Sequence, residues 1–263
     1  MLFRRKIIIM ATYKRRGYKP KNKEEEAQLE EMESTTAEVF NTLDEGASKT
    51  EEWVARNQKY IFGSIVGLVI IALGVLGYQQ FIHAPKETEA SNEMFFAQQY
   101  FDEAVNAIDK DSLFNIALNG ANGKYGLLDI IDKYKGTKAA NLAEYSSGMA
   151  YLNMNKYEEA IAHLQNFKSD DPILGALAKG GIGDAFVQLN QAEDALGYYE
   201  KAIAHNANDF TTPRFLFKAG TLALSSGDHK TALKYFKRIK EEYPNSEEGR
   251  TIDIFIGKVE SVK

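Results

Sequence analysis

The sequence predicts an all-α chain, a single N-terminal membrane-spanning helix followed by a solenoid of helix-turn-helix units. Three observations predict it. Residues 60–82, YIFGSIVGLVIIALGVLGYQQFI, contain no charged side chain. From residue 92 onward the apolar period is helical, with Gly, Asn and Pro between the runs and no strand signal. Three stretches of that region repeat one pattern of small and aromatic residues, offset by 35 and then 37 positions.

In chain order, residues 1–10 place basic residues before an apolar patch too short for the core of a signal peptide. Translation is expected to begin either at Met1 or at Met10. A basic block follows (Lys14, Arg15, Arg16, Lys19, Lys21, Lys23), then the acidic EEEAQLEEMES. Both are poor in apolar residues, so residues 1–59 read as a mostly disordered tail. Its basic block could make weak contact with anionic lipid or RNA. The tail ends in a short juxtamembrane helix capped by Ser48 or Thr50, with Glu51 and Glu52 in its first turn and Trp53 as an interfacial anchor.

Residues 60–82 read as the transmembrane helix. About 20 helical residues span the roughly 30 Å hydrocarbon layer. A lone segment can satisfy its backbone there only as a helix. Gly63 and Gly67 form a GxxxG pair that could pack against another helix. Lys49, Arg56 and Lys59 precede the span, whereas only Lys86 follows it before Lys110. The positive-inside rule then places the N-terminus in the cytoplasm of a single-pass inner-membrane protein and the C-terminal domain in the periplasm or its equivalent. The absence of cysteine is compatible with either compartment.

Residues 83–92, HAPKETEASN, read as a linker in which Pro85 stops the helix. A repeat domain over 93–263 follows. It comprises a degenerate unit (93–136), repeats at 141–172, 176–207 and 213–244, and a capping helix (246–263). In the degenerate unit, 127–134 is the second helix and 109–123 an insertion, and the aromatic cluster Phe95, Phe96, Tyr100 and Phe101 is assigned to the core.

Charge and motifs exclude other classes. Residues 1–59 hold 12 basic and 11 acidic side chains, and the rest holds 20 and 26. An acidic C-terminal domain disfavours nucleic acid as its main partner. His83, His163, His205 and His229 are scattered, and no hydrolase, metalloprotease, phosphate-loop or dinucleotide motif is present. No catalytic, cofactor-binding or metal-binding residue is assigned.

The repeated pattern resembles the tetratricopeptide repeat, a 34-residue helix-turn-helix unit. Small position 8 is Gly148, Gly183 and Gly220, position 11 is Tyr151, Phe186 and Ala223, and position 20 is Ala160, Ala195 and Ala232. Large position 24 is Leu164, Tyr199 and Phe236, and position 32 is Pro172, Ala207 and Pro244, where Pro should end the second helix. Position 27, usually small, holds Phe167, Ala202 and Ile239, which suggests looser packing. In this family the binding groove is lined by first-helix positions 2, 5, 9 and 12. Carried over, these are Leu142, Tyr145, Met149 and Leu152, then Leu177, Gly180, Asp184 and Val187, then Arg214, Phe217, Thr221 and Leu224. Such a groove is mostly apolar, with Arg214 as its one cation, unlike members that clamp a C-terminal carboxylate. Flanking helices could instead bury Leu142 and Leu177.

Through EEWVARNQKYIFGSIVGLVIIALGVLGYQQF and the layout around it, the chain resembles the YfgM family of ancillary SecYEG translocon subunits. That resemblance implies translocon subunits, a periplasmic prolyl-isomerase chaperone and newly exported clients as partners, and chaperone-like help to exported proteins as the function. A structural scaffold in another envelope complex is the alternative.

Overall fold

The computed structural model describes residues 23–261, and over 24–51 its backbone alone. Both alternative start residues and most of the basic block lie outside that range. The described residues contain helices and turns and no strand. The chain divides into two units, residues 1–75 and 76–263, which are taken in turn.

The first described element, α1 (Lys23–Tyr78), is one helix of 56 residues. A mostly disordered tail with a short juxtamembrane helix is therefore not what residues 23–59 form. EEEAQLEEMES is rich in strong helix formers, and no proline lies between Pro20 and Pro85. Once a long apolar segment has nucleated the helix, each further residue adds a hydrogen bond without a new nucleus. Burial of apolar surface was thus the wrong criterion for this stretch.

The apolar part of α1 is long and apolar enough to cross a membrane, and none of its apolar window is buried. Its polar side chains close on their own helix: Asn57 Nδ2 donates to Trp53 O at 2.8 Å and Ser64 Oγ to Tyr60 O at 2.8 Å. A Cβ at Gly63 or Gly67 would meet nothing within 4 Å among the described residues.

In the second unit a π-helical turn (Gln79–His83) leads into α2 (Ala84–Asn106). Pro85 therefore does not stop a helix. It occupies the first turn of α2, directly after the π-helical turn, and the helix runs on through it. The expected linker is part of the folded domain. Lys138 N and Ala139 N donate to the Glu87 carboxylate at 2.8 and 3.0 Å. Lys86 Nζ donates to Lys135 O at 3.0 Å, and the Tyr134 hydroxyl to Glu89 at 3.1 Å. Burial first, and then the Glu89 carboxylate, push the Tyr134 hydroxyl up to about 12. Glu87 thus caps a helix some 50 residues away, which no local reading of HAPKETEASN could reveal. Glu87→Ala is expected to cost about 1–2 kcal/mol, the worth of such a cap. For a domain this size that lowers its melting temperature by roughly 4 °C. An unchanged melting curve would show the bonds to be idle.

The insertion is also structured. It forms α3 (Lys110–Asn119), whose Phe114, Ala117 and Leu118 are buried, and α3 rather than α4 (Leu127–Lys133) is the main packing partner of α2. The aromatic cluster is divided. Phe101 packs edge-on to Phe114 at 5.5 Å, and Phe96 and Tyr100 are half-buried, but Phe95 is 71% exposed. Ala90, Met94, Ala97 and Ala104 make the buried stripe instead.

Three hairpins follow: α5 (Lys138–Asn153) with α6 (Tyr157–Asn166), α7 (Leu174–Gln188) with α8 (Ala192–Ala204), and α9 (Thr211–Ser225) with α10 (His229–Glu242). Each helix packs on the next, and α11 (Ile252–Glu260) closes the array with Ile252, Ile256 and Val259 buried. The turn inside each hairpin passes through one left-handed residue at the same repeat position, Asn155 (φ 60°), Asn190 (φ 59°) and Gly227 (φ 79°). The residue after it closes the helix end, as in Lys156 N to Tyr151 O, 2.9 Å. Position-8 glycines let the paired helices approach. A Cβ on Gly148 would lie 2.5 Å from Leu164 Cγ, and one on Gly183 2.7 Å from Tyr199 Cδ1.

Two details differ from the sequence reading. Pro172 does not end α6, which stops at Asn166 where Phe167 turns to extended backbone. The bulky side chains at position 27 do not loosen the packing: Phe167 is 8% exposed and Ile239 is fully buried. Phe167 fits because it has left the helix, and its ring packs on Tyr145 at 5.2 Å.

Candidate protein-binding groove

The first helices α5, α7 and α9 each bury one stripe against their own hairpin partner and the neighbouring unit. The opposite stripe carries the groove positions. Three cavities share lining residues along it. One, of about 390 Å³, is lined by Leu152, Asn155, Tyr157, Asp184, Val187 and Gln188, with Tyr199 and Lys218. The next, of about 250 Å³, shares Asp184, Val187, Tyr199 and Lys218 and adds Phe217, Thr221, Leu222 and Ser225. The third, of about 440 Å³, shares Phe217 and holds Arg214 beside Asp209, Glu247 and Glu248.

The structure thus brings together Leu152, Asp184, Val187, Arg214, Phe217 and Thr221 of the candidate residues. Leu142, Tyr145, Met149 and Leu224 line none of these cavities. Leu142 is 37% exposed, so flanking helices do not bury it. Tyr145 and Met149 pack on the cluster around Leu164 and Ile182, and Leu177 and Leu224 on the cluster around Phe236. Gly180 is buried, because Phe215 of α9 lies directly against it. Phe217 has a second role: its ring meets Phe255 of α11 edge-on at 4.7 Å.

A polar cluster lies where the first two cavities meet. Lys218 Nζ donates to both Asp184 oxygens at 2.6 Å, and the Tyr199 hydroxyl donates to Asp184 Oδ1 at 2.7 Å. The three residues come from α9, α7 and α8, so the cluster ties two repeats together. Burial, reinforced by the adjacent Asp184 charge, raises the Tyr199 hydroxyl well above its ordinary range and keeps it a donor. The ion pair is about one-third exposed on each side chain, so a ligand in the groove would meet it. Tyr145 is likewise raised by burial, with the Arg214 guanidinium opposing.

Sequence reasoning missed Lys218 and Tyr199. Arg214 is therefore not the groove's one cation, although Lys218 is already neutralised by Asp184. One signal was present: Lys218 follows Asp184 by 34 residues, a single repeat length with opposite charge. Tyr199 was hidden because its position marks interior packing. Among the described residues no group of three or more His, Asp or Glu side chains is placed to hold a metal ion.

The comparisons with known proteins agree with this geometry. A tetratricopeptide repeat family model matches residues 145–209 and 181–247. An uncharacterized protein, ycf37, of Guillardia theta is 30% identical over 117 residues. The aligned stretch is 41% of this chain and 66% of that protein, just under two thirds of the relative's length.

Proposed function

We propose that this chain, whose residues 145–247 match the tetratricopeptide repeat, is a membrane-anchored protein-interaction module acting as a chaperone-like accessory subunit of the Sec translocon. Tetratricopeptide repeats are an interaction fold, not a catalytic one. The groove holds a polypeptide segment of an exported client, with apolar side chains on Leu152, Val187 and Leu222 and polar groups over the Asp184–Lys218 pair. One observation carries this reading, the run of cavities along successive first helices, the first with a mostly polar lining and the second mostly apolar, with the Asp184–Lys218 ion pair where they meet. The lysine and arginine excess before the span supports a cytoplasmic N-terminus, with the repeats on the side where exported chains emerge.

The test is a photo-crosslinking amino acid at Val187 or Thr221 in the full-length membrane-bound chain, with Glu193 at the exposed start of α8 as control. Groove positions should capture translocon subunits and nascent exported chains, and the control position should not. Leu152→Glu with Thr221→Glu should reduce that capture at least fivefold while leaving the domain folded, because Leu152 is only partly buried and Thr221 is exposed. Met149 and Phe217 are unsuitable for this purpose, since they also pack the core. Capture of an unrelated envelope complex, with no translocon subunit, would make the protein a scaffold and retire the export reading.

A further inference from the structure

The loop between α3 and α4 carries two Asn-Gly pairs, Asn119–Gly120 and Asn122–Gly123, and the sequence has no other. Such a pair can react with itself. The backbone nitrogen of the glycine attacks Cγ of the asparagine, and no side chain on the glycine blocks the approach. In a folded protein the reaction needs a glycine N–H without a partner, an asparagine amide free to turn, and access of water to both.

The two pairs differ in these respects, although both asparagines are exposed. Asn119 is the last residue of α3. Its Nδ2 donates to Asn115 O at 3.0 Å, and Gly120 N donates to Ile116 O at 2.8 Å. The backbone of Lys124, Tyr125 and Gly126 lies directly against Gly120 and hems it in. Asn122 and Gly123 instead form the centre of a tight turn. Both are left-handed, at φ 54° and 74°, and the turn is closed by Lys124 N to Ala121 O at 2.9 Å. Gly123 is exposed, and a Cβ on it would meet nothing within 4 Å. Among the described residues its N–H donates to no acceptor. Opening of the one hydrogen bond across the turn frees Gly123 N to reach Asn122 Cγ.

We infer that Asn122 is a self-modification site, converted by Gly123 N and water to aspartate or isoaspartate while Asn119 is spared. A bond forms between Gly123 N and Asn122 Cγ as the Cγ–Nδ2 bond breaks, and ammonia leaves with the proton from Gly123 N. Water then opens the cyclic imide. Attack at Cγ gives aspartate, and attack at the main-chain carbonyl gives isoaspartate, whose backbone runs through Cβ. Either product sets a new carboxylate close in sequence to the exposed Lys124. The iso form also lengthens the backbone inside the turn, which displaces Lys124 N from Ala121 O.

The experiment incubates the purified full-length chain in heavy-oxygen water, at neutral and at mildly alkaline pH. Peptide mass spectrometry then counts ring opening at each asparagine. In the folded chain, conversion should be about fivefold or more faster at Asn122 than at Asn119, the factor that one intact backbone hydrogen bond represents. It should quicken at alkaline pH, where Gly123 N gives up its proton more readily. In the chain unfolded by denaturant the two pairs should react at similar rates, because only the fold distinguishes them. Asn122→Gln should slow conversion at that position sharply, since the ring would have to be larger. Equal rates at the two sites of the folded chain, or Asn119 reacting first, would overturn the assignment. An inert Asn122 in the folded chain beside a reactive unfolded control would overturn it as well, because the turn would then protect the pair it contains.

Discussion

Leu68→Arg combined with Ile71→Arg is expected to move the chain from the membrane fraction to the soluble fraction. Both side chains lie near the middle of the apolar run and are about two-thirds exposed, at 66% and 65%. Among the described residues nothing covers them. An arginine at the centre of a membrane helix costs about 2.5–3.5 kcal/mol, so the pair costs about 5–7 kcal/mol. Arginine is a good helix former, so α1 itself should persist. Flotation after alkaline extraction reads the result, with Leu68→Val and Ile71→Val as the apolar control. If the arginine pair stays as firmly bound as the control, residues 60–82 are not the anchor, and the export reading loses its premise.

The second large effect is expected inside the repeat array. Gly180→Val should destabilise the domain by about 3 kcal/mol, the upper part of the usual range for overpacking. The reason is a close approach of two repeats: a Cβ on Gly180 of α7 would overlap the Phe215 ring of α9. That ring is 2% exposed and stacked on Tyr199 at 6.2 Å, so it cannot swing away. Phe215→Ala alone should cost about 3–5 kcal/mol through the cavity it leaves. In the double variant the valine partly fills that cavity, and the combined loss should fall at least 1 kcal/mol short of the sum. Chemical denaturation of the four proteins measures the cycle. Additive losses, or a Gly180→Val domain as stable as its parent, would show that the two helices do not meet there.

This contact also shows where residue patterns stop being informative. The spacing of Gly148, Gly183 and Gly220 identified the hairpins, because a small residue there is demanded by the partner helix of the same repeat. Gly180 was instead assigned to the groove by its repeat position. The side chain that displaces it, Phe215, belongs to the following repeat. Phe217 was assigned to the groove by the same rule. It does line cavities there, yet it also packs on Phe255, because the terminal helix α11 covers the last repeat.

What the sequence determined by itself is local. The charge-free run 60–82, the helical period and the three tandem hairpins follow from neighbouring residues, since helix formation and hairpin closure act over one or two turns. The tertiary structure decided what depends on residues far apart. It made HAPKETEASN the first turns of α2, because Glu87 finds the free N–H groups of α5. It turned the insertion into α3, because Phe114 and Leu118 have α2 to pack on. It set Lys218 against Asp184 at the centre of the groove, because stacking places residues one repeat apart side by side. A carboxylate, an N–H group or an ammonium has many possible partners along a chain, and only the packing of the helices selects one.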